Sequence, residues 1–328
     1  PRSTLFPYTT LFRSRTGLTE VRRAANGNLL VATGIAGLII IDSAGNISRH
    51  THNPIDSRTL AANNTYRVLG GSKGEIIVGT SSSGISISNI YKRQAGYTKI
   101  FKDDAGNLFD NYLTEIAEDK KNILWIGAYD RLIRWDREND RVKFFHYYYR
   151  RPGLLRSLEI KTLCIDKYGK IWISPTFDGV AVLNEAAGTF KKIEPDTSRG
   201  MALHSPVTND IIAASDGYIW VGSNLGVYTI HPQTFAMNGF KDNAALKGIS
   251  GKKVIALFED SKHCIWIGTQ GGAFRFDKTS NQLQHIDEKK GLVSNTCLAF
   301  MEDSKGKIYI ATTAAGSRSE ERRVGKEC

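Results

Sequence analysis

An all-β fold, a β-propeller of four-stranded antiparallel blades, is what three features of this 328-residue sequence predict. The first is a recurring apolar motif. Ile265-Trp266-Ile267-Gly268-Thr269 has counterparts in Ile219-Trp220-Val221-Gly222-Ser223, Leu124-Trp125-Ile126-Gly127-Ala128 and Ile171-Trp172-Ile173-Ser174-Pro175, with weaker copies at 29–33, 76–80 and 308–312. The second is its period. Aligned on the Trp position, the copies fall at 30, 77, 125, 172, 220, 266 and 309, giving about seven repeats of 43 to 48 residues. That is the size of one propeller blade. The third is turn chemistry. Short β-branched and aromatic runs are broken every ten or so residues by Gly, Asp, Asn or Ser, which argues strands throughout.

Each repeat reads the same way. A first apolar run, such as Val254-Ile255-Ala256-Leu257-Phe258, leads to an acidic turn, such as Glu259-Asp260-Ser261-Lys262. The Trp strand follows. It is apolar on both faces, which suits a sheet covered on both sides, as a blade is by its two neighbours. Trp125, Trp172, Trp220 and Trp266 are therefore expected as repeated core residues between blades, and the small residue after them marks a close approach of backbones. A Gly-containing turn, a third strand (Ala273-Phe274-Arg275-Phe276-Asp277) and a more variable fourth (Gln282-Leu283-Gln284-His285-Ile286) complete the unit. Polar crossovers at 52–64 and 146–158 join successive blades. The seventh repeat is expected to be truncated after its second strand, near Thr312.

The two ends do not share the pattern. Residues 4–14 and 318–328 are related through the genetic code: read backwards in complementary codons, one gives the other at all eleven positions, as Ser14 (TCT) with Arg318 (AGA) and Pro7 (CCC) with Gly325 (GGG). This resembles a sequencing adapter translated at both ends of an assembled DNA fragment. The expected organisation is an artefactual tail at 1–14, a propeller at 15–317 and a second artefactual tail at 318–328, with the natural chain extending beyond both. Setting the tails aside lowers the net charge from +11 to +8. The charge is dispersed, so no nucleic-acid partner is expected for this region. Cys164, Cys264 and Cys297 remain, without a CxxC pair, and read as small buried residues.

The pattern of a crossover ending Leu-x-x-Asn, an apolar strand, Glu-Asp-x-x-Gly, Ile-Trp-Ile-Gly-Thr, Gly and a further apolar strand ending in Asp resembles the two-component-regulator propeller repeat. Segments 259–277 and 166–183 match closely. Repeat two lacks the acidic turn (Gly70-Gly71-Ser72-Lys73), and Ser174-Pro175 replaces Gly-Thr in repeat four. The resemblance implies an extracytoplasmic sensor on the periplasmic side of an inner-membrane protein, as in bacterial hybrid histidine kinases that respond to oligosaccharides. It further implies kinase and output domains in cis beyond residue 317, and a homodimer.

No nucleophile elbow, phosphate loop, HExxH or EF-hand loop is present. No catalytic residue, metal site or cofactor is expected. Asp119, Asp166, Asp216, Asp260 and Asp303 recur once per blade, too far apart to act as a carboxylate pair. Asp at such a turn bonds its own backbone. Function on a propeller sits where loops meet at one mouth of the channel. Pooling the loops after the Trp strands with the crossovers gives Tyr129, Asp130, Arg131, Phe177, Asp178, Asn224, Gln270, Asn111 and Tyr112 as candidate ligand-binding residues. Rings cover the C–H faces of sugars and planar polar groups pair with hydroxyls. Tyr147-Tyr148-Tyr149 is either a further platform or crossover packing. The expected function is ligand sensing without chemistry. A propeller lyase or glycosidase, and a protein-interaction scaffold, are the alternatives.

Overall fold

The computed structural model describes residues 17–56, 58–81, 83–89, 94–99, 101–102, 112–151, 154–193, 207–239, 243–303, 306–313 and 322–324. Six sheets have four antiparallel strands each, ordered as in the sequence. Blade one comprises β1 (Leu18–Arg23), β2 (Leu29–Thr33), β3 (Leu38–Ile41) and β4 (Ile47–His50). Blade two comprises β5 (Thr65–Gly70), β6 (Glu75–Thr80), β7 (Ile85–Asn89) and β8 (Gln94–Lys99). Blade three comprises β9 (Leu113–Glu118), β10 (Ile123–Ala128), β11 (Leu132–Asp136) and β12 (Arg141–Phe145). A two-stranded hairpin follows, β13 (Tyr148–Arg151) and β14 (Leu154–Ser157). Blade four is β15 (Ile160–Ile165), β16 (Ile171–Pro175), β17 (Ala181–Asn184) and β18 (Thr189–Lys192). Blade five is β19 (Thr208–Ala213), β20 (Ile219–Ser223), β21 (Gly226–Ile230) and β22 (Met237–Gly239). Blade six is β23 (Val254–Glu259), β24 (Ile265–Thr269), β25 (Gly272–Asp277) and β26 (Gln282–Ile286).

The seventh blade has β27 (Cys297–Glu302) and β28 (Ile308–Thr313), and Arg322–Val324 pairs with β28 as β29. A three-stranded sheet thus stands where a two-stranded remainder was expected. An open strand edge offers unpaired N–H and C=O groups to any extended chain, whatever its side chains. The first strands of successive blades pack side by side around the axis, and β27 packs against β1, so the ring closes. At that junction Ala311 and Ala299 of blade seven meet Leu18, Val31 and Ile39 of blade one.

The core lies between blades. Trp125 packs with Ile160, Leu163 and Ile171 of blade four, and Trp172 with Ile211, Ile219 and Val221 of blade five. Trp220 and Trp266 repeat this against blades six and seven. All four rings are buried. The glycine that follows lies under the next blade: a Cβ on Gly268 would stand 2.8 Å from the Cys297 carbonyl oxygen, and one on Gly127 2.8 Å from that of Ile160.

The polar crossover at 146–158 carries the β13–β14 hairpin, an element its polarity does not predict, with the Leu158 N–H bonded to the Tyr147 carbonyl. Tyr147 is buried and donates its hydroxyl to Asp178 at 2.7 Å, whereas Tyr148 is half-exposed and stacks on His146. Cys264 and Cys297 are buried and Cys164 is partly so; all three are free thiols.

Candidate functional site

Strand direction alternates within a blade, so the loops between second and third strands share one face with the inter-blade crossovers. A repeated hydrogen bond fixes them there. The loop residue donates its N–H to the carbonyl of the residue seventeen places earlier, at the entry of the innermost strand: Gly34 to Gly17, Ser81 to Asn64, Tyr129 to Tyr112, Thr176 to Glu159, Asn224 to Val207 and Thr313 to Thr296, at 2.6 to 3.2 Å. These loops therefore stand at the rim of the axial channel, which encloses about 620 Å³.

Every innermost strand slips register by one residue after its first position. Such a bulge turns side chains out of alternation. The residues skipped are Thr19, Tyr66, Thr114, Lys161, Asn209, Ile255 and Leu298, and all seven line the channel, as do the residues that follow them in blades one to five, Glu20, Arg67, Glu115, Thr162 and Asp210. The channel is polar through blades one to five and apolar at Ile255, Ala256, Leu298 and Ala299 of blades six and seven.

The charged groups form a network. Glu20 accepts from Arg22 Nε at 2.8 Å and from the Val68 N–H of the next blade at 2.7 Å. Glu115 lies 3.5 Å from both Arg22 Nη2 and Arg67 Nε and accepts from the Ile116 N–H. Asp210 accepts from the Leu257 N–H of blade six at 2.7 Å and from Ile211 at 2.8 Å. Burial pushes Asp210 up to about 6 against the pull of the Leu257 amide, with Glu115 adding to the rise. Burial also raises Glu115, with Arg67 opposing. Lys161 donates to Asn209 Oδ1 at 2.7 Å, and Asn209 Nδ2 is held by the Val254 carbonyl and Asn224 Oδ1. Burial lowers Lys161.

On the opposite face lie the acidic turns. Asp119, Asp166, Asp216 and Asp260 each accept turn N–H groups on Oδ1 and a Trp indole N–H on Oδ2. They brace the scaffold. No grouping of three or more His, Cys, Asp or Glu suited to a metal ion occurs among the described residues.

The structure divides the loop residues singled out from the sequence. Tyr129 and Phe177 stand exposed on the rim, at 61% and 62%. Gln270 is exposed on the corresponding loop of blade six, and Asn224 and Tyr112 are partly buried at the mouth. Tyr112 pairs with Tyr66, their centroids 5.5 Å apart, and the Arg67 guanidinium lies 5.0 Å above the Tyr66 ring. Arg131 is engaged by Asp130 through two bonds of 2.6 Å, and Asp178 is buried between the Tyr147 hydroxyl and Lys192 Nζ. Asn111 lies outside the described residues. Sequence reasoning missed Tyr66, Arg67, Glu159, Lys161 and Asn209. The signal available was polarity at the second and third positions of the innermost strands in repeats one to five, absent from repeats six and seven.

Comparison with known proteins places the repeat and the fold. Residues 248–271 match the family model described as two component regulator propeller, so the resemblance read from the repeats is borne out at blade six. No curated protein matches the chain in sequence. Among solved structures, the extracellular domain of a hybrid two component system from B. thetaiotaomicron superposes with a TM-score of 0.73 at 17% identity. That match covers 92% of this chain and 39% of the other, so this chain spans well under half of that domain. Virginiamycin B lyase from Staphylococcus aureus gives 0.69 at 12% identity over 96% of both chains. PorZ, a surface component of the type-IX secretion system of Porphyromonas gingivalis, gives 0.67 at 16% identity, covering 94% of this chain and 46% of its own. At such identities these likenesses show the propeller fold. Among the described residues no helix is long and apolar enough to cross a membrane.

Proposed function

We propose that this propeller is the ligand-binding part of an extracytoplasmic sensor of a two-component signalling protein, and that its ligand is an oligosaccharide bound without chemical change. The observation that carries the reading is the one-sided distribution of exposed apolar groups. Of the seven large hydrophobic side chains exposed among the described residues, Ile35, Ile55, Tyr129, Tyr148, Phe177 and Leu225 lie on the crossover face, and Tyr168 alone lies on the other. Rings around a polar channel suit a ligand with apolar C–H faces and many hydroxyls.

The same channel argues for binding over catalysis. Its carboxylates each accept from donors of the protein, as in a fixed polar lining. The family match at 248–271 supports the signalling context, and the hybrid two component system has the same fold. In that context kinase and output domains act in cis, and the signal is a difference in ligand affinity between two arrangements of a sensor dimer. Tyr129, Phe177, Asn224, Gln270 and Tyr112 are the proposed contacts. Calorimetry against a panel of neutral and acidic glycans, with chromatography of the recovered glycan, tests the reading. Saturable binding with unchanged glycan is expected; cleaved product would establish the enzyme alternative.

A further inference from the structure

We propose that the channel mouth is a binding subsite for a carboxylate-bearing ring ligand, a hexuronate being the simplest, with its acid group on Lys161 and its ring against Phe177. The proposal rests on the binding role above and specifies which end of the ligand faces inward.

Lys161 occupies the bulged position of β15 and lines the channel. An ammonium carries three donors. One meets the neutral amide oxygen of Asn209, and that amide is itself fixed by Val254 and Asn224, so the lysine is held in place and not merely solvated. Among the described residues no carboxylate stands within ion-pair distance of Lys161, although Glu159 and Asp210 favour its charge from farther off. Several other charged groups of the channel have partners of their own. Glu20 holds Arg22, Glu115 holds Arg22 and Arg67, and Asp210 accepts two backbone N–H groups. Glu159, next to the mouth, accepts from the Thr176 hydroxyl at 3.0 Å. Lys161 is thus a partly desolvated cation with donors to offer. A carboxylate there would form charge-assisted hydrogen bonds, which are among the stronger polar contacts, and would offset the burial that disfavours the ammonium.

Phe177 provides the second, independent observation. It lines the same channel and is 62% exposed, with φ of +65°. A bulky aromatic is a poor occupant of the left-handed region, where Gly or Asn fits without strain. Packing does not explain it either, because most of the ring faces solvent. Strain retained at an exposed ring is a mark of a contact surface. A channel of about 620 Å³ falls within the range of small-molecule sites. A hexuronate brings the two required features, a ring with C–H faces and a carboxylate on its edge.

The test is calorimetry on the full chain with digalacturonate, its methyl ester and galactobiose. Wild type is expected to prefer digalacturonate by about tenfold or more over both neutral sugars, a preference that shrinks with added salt as charge pairing does. Lys161→Met should abolish that preference, and Phe177→Ala should weaken all three. Thermal melting confirms that each variant is folded. If wild type binds neutral and acidic sugars alike, or if Lys161→Met keeps the preference, the acid subsite is overturned while the sensor reading stands. If none of the three sugars binds, the subsite falls, and the wider glycan panel decides the sensor reading separately.

Discussion

The indole Nε1 of Trp266 donates to Oδ2 of Asp260 at 2.8 Å. The same bond joins Trp125 to Asp119, Trp172 to Asp166 and Trp220 to Asp216, each at 3.0 Å, and in blade seven the Tyr309 hydroxyl takes the indole's place on Asp303 at 3.2 Å. The other oxygen of Asp260 accepts from the N–H groups of Lys262 and Cys264. One carboxylate therefore closes the turn between first and second strands and orients the ring that fills the gap to the next blade.

Asp260→Ala removes both acceptor oxygens and with them three hydrogen bonds, and leaves a buried indole N–H without a partner. A buried donor left unmet costs about 1–3 kcal/mol, so urea denaturation should show a loss of at least that size, with Asp260→Asn milder because one acceptor oxygen survives. Ligand affinity of the folded variant should be unchanged, since the turn lies on the face opposite the channel mouth.

Gly268 and Ser174 occupy the same register and should respond in opposite directions. Gly268→Ala places a Cβ 2.8 Å from the Cys297 carbonyl oxygen and 3.1 Å from Phe300 Cε2, and overpacking of this kind costs about 1–3 kcal/mol. Ser174 already carries a side chain, but its hydroxyl is fully buried with no hydrogen-bond partner. Ser174→Ala removes an unmet polar group and should raise the denaturation midpoint, by about 1 kcal/mol of stability. A lower midpoint for Ser174→Ala would show that the hydroxyl is bonded in solution.

The ring was legible because the Trp period is rigid: a blade that packs only on its neighbours must repeat its interface. The channel was not legible, for a reason the bulge supplies. In a regular strand, parity tells which side chains face inward. Skipping Lys161 in the pairing between Ile160 and Thr162 breaks that parity at the one place where the strand lines the axis. Arg131 and Asp178 illustrate a second limit. Their residue types suit a ligand site, yet Asp130 holds the first, and Tyr147 and Lys192 hold the second. The Tyr147–Asp178 bond, reaching from the crossover into blade four, leaves no mark in local sequence, and the adjacency of Asp130 and Arg131 does not by itself say whether their side chains bond each other or a ligand. The β13–β14 hairpin was missed because its crossover was read for polarity, when its aromatic run on one side of Pro152-Gly153 is equally a strand signal.

Asp210 gives a pH signature. Burial raises its pKa from 3.8 to about 6. A carboxyl raised on folding binds its proton more tightly in the native state, so its contribution to stability is fully present below about 4 and is lost as pH rises through about 6. The groups facing it are Glu115, Arg22, Lys161, the Thr162 hydroxyl, and the Leu257 and Ile211 amides. Glu115 is itself raised by burial, so the comparison must be a difference. The stability of wild type minus that of Asp210→Asn should decrease between pH 4 and pH 6. A difference that stays flat or grows across that window would contradict the raised value.

Phe177 separates stability from binding. Its φ of +65° is disfavoured for an aromatic residue and tolerated by Asn, and strain of this kind is of order 1 kcal/mol or more. The ring is mostly exposed, so little packing is lost on its removal. Phe177→Asn should therefore raise the melting temperature while weakening glycan binding by about 1–2 kcal/mol, the scale of an aromatic contact. Tyr129→Ala, on the neighbouring loop, removes an exposed ring and should weaken binding by a similar amount with little change in melting. A side chain kept for the fold alone would give the reverse at position 177, lower stability with affinity intact. The paired measurement, differential scanning calorimetry for stability and titration calorimetry for affinity on the same preparations, distinguishes a ring retained for its ligand from one retained for its scaffold.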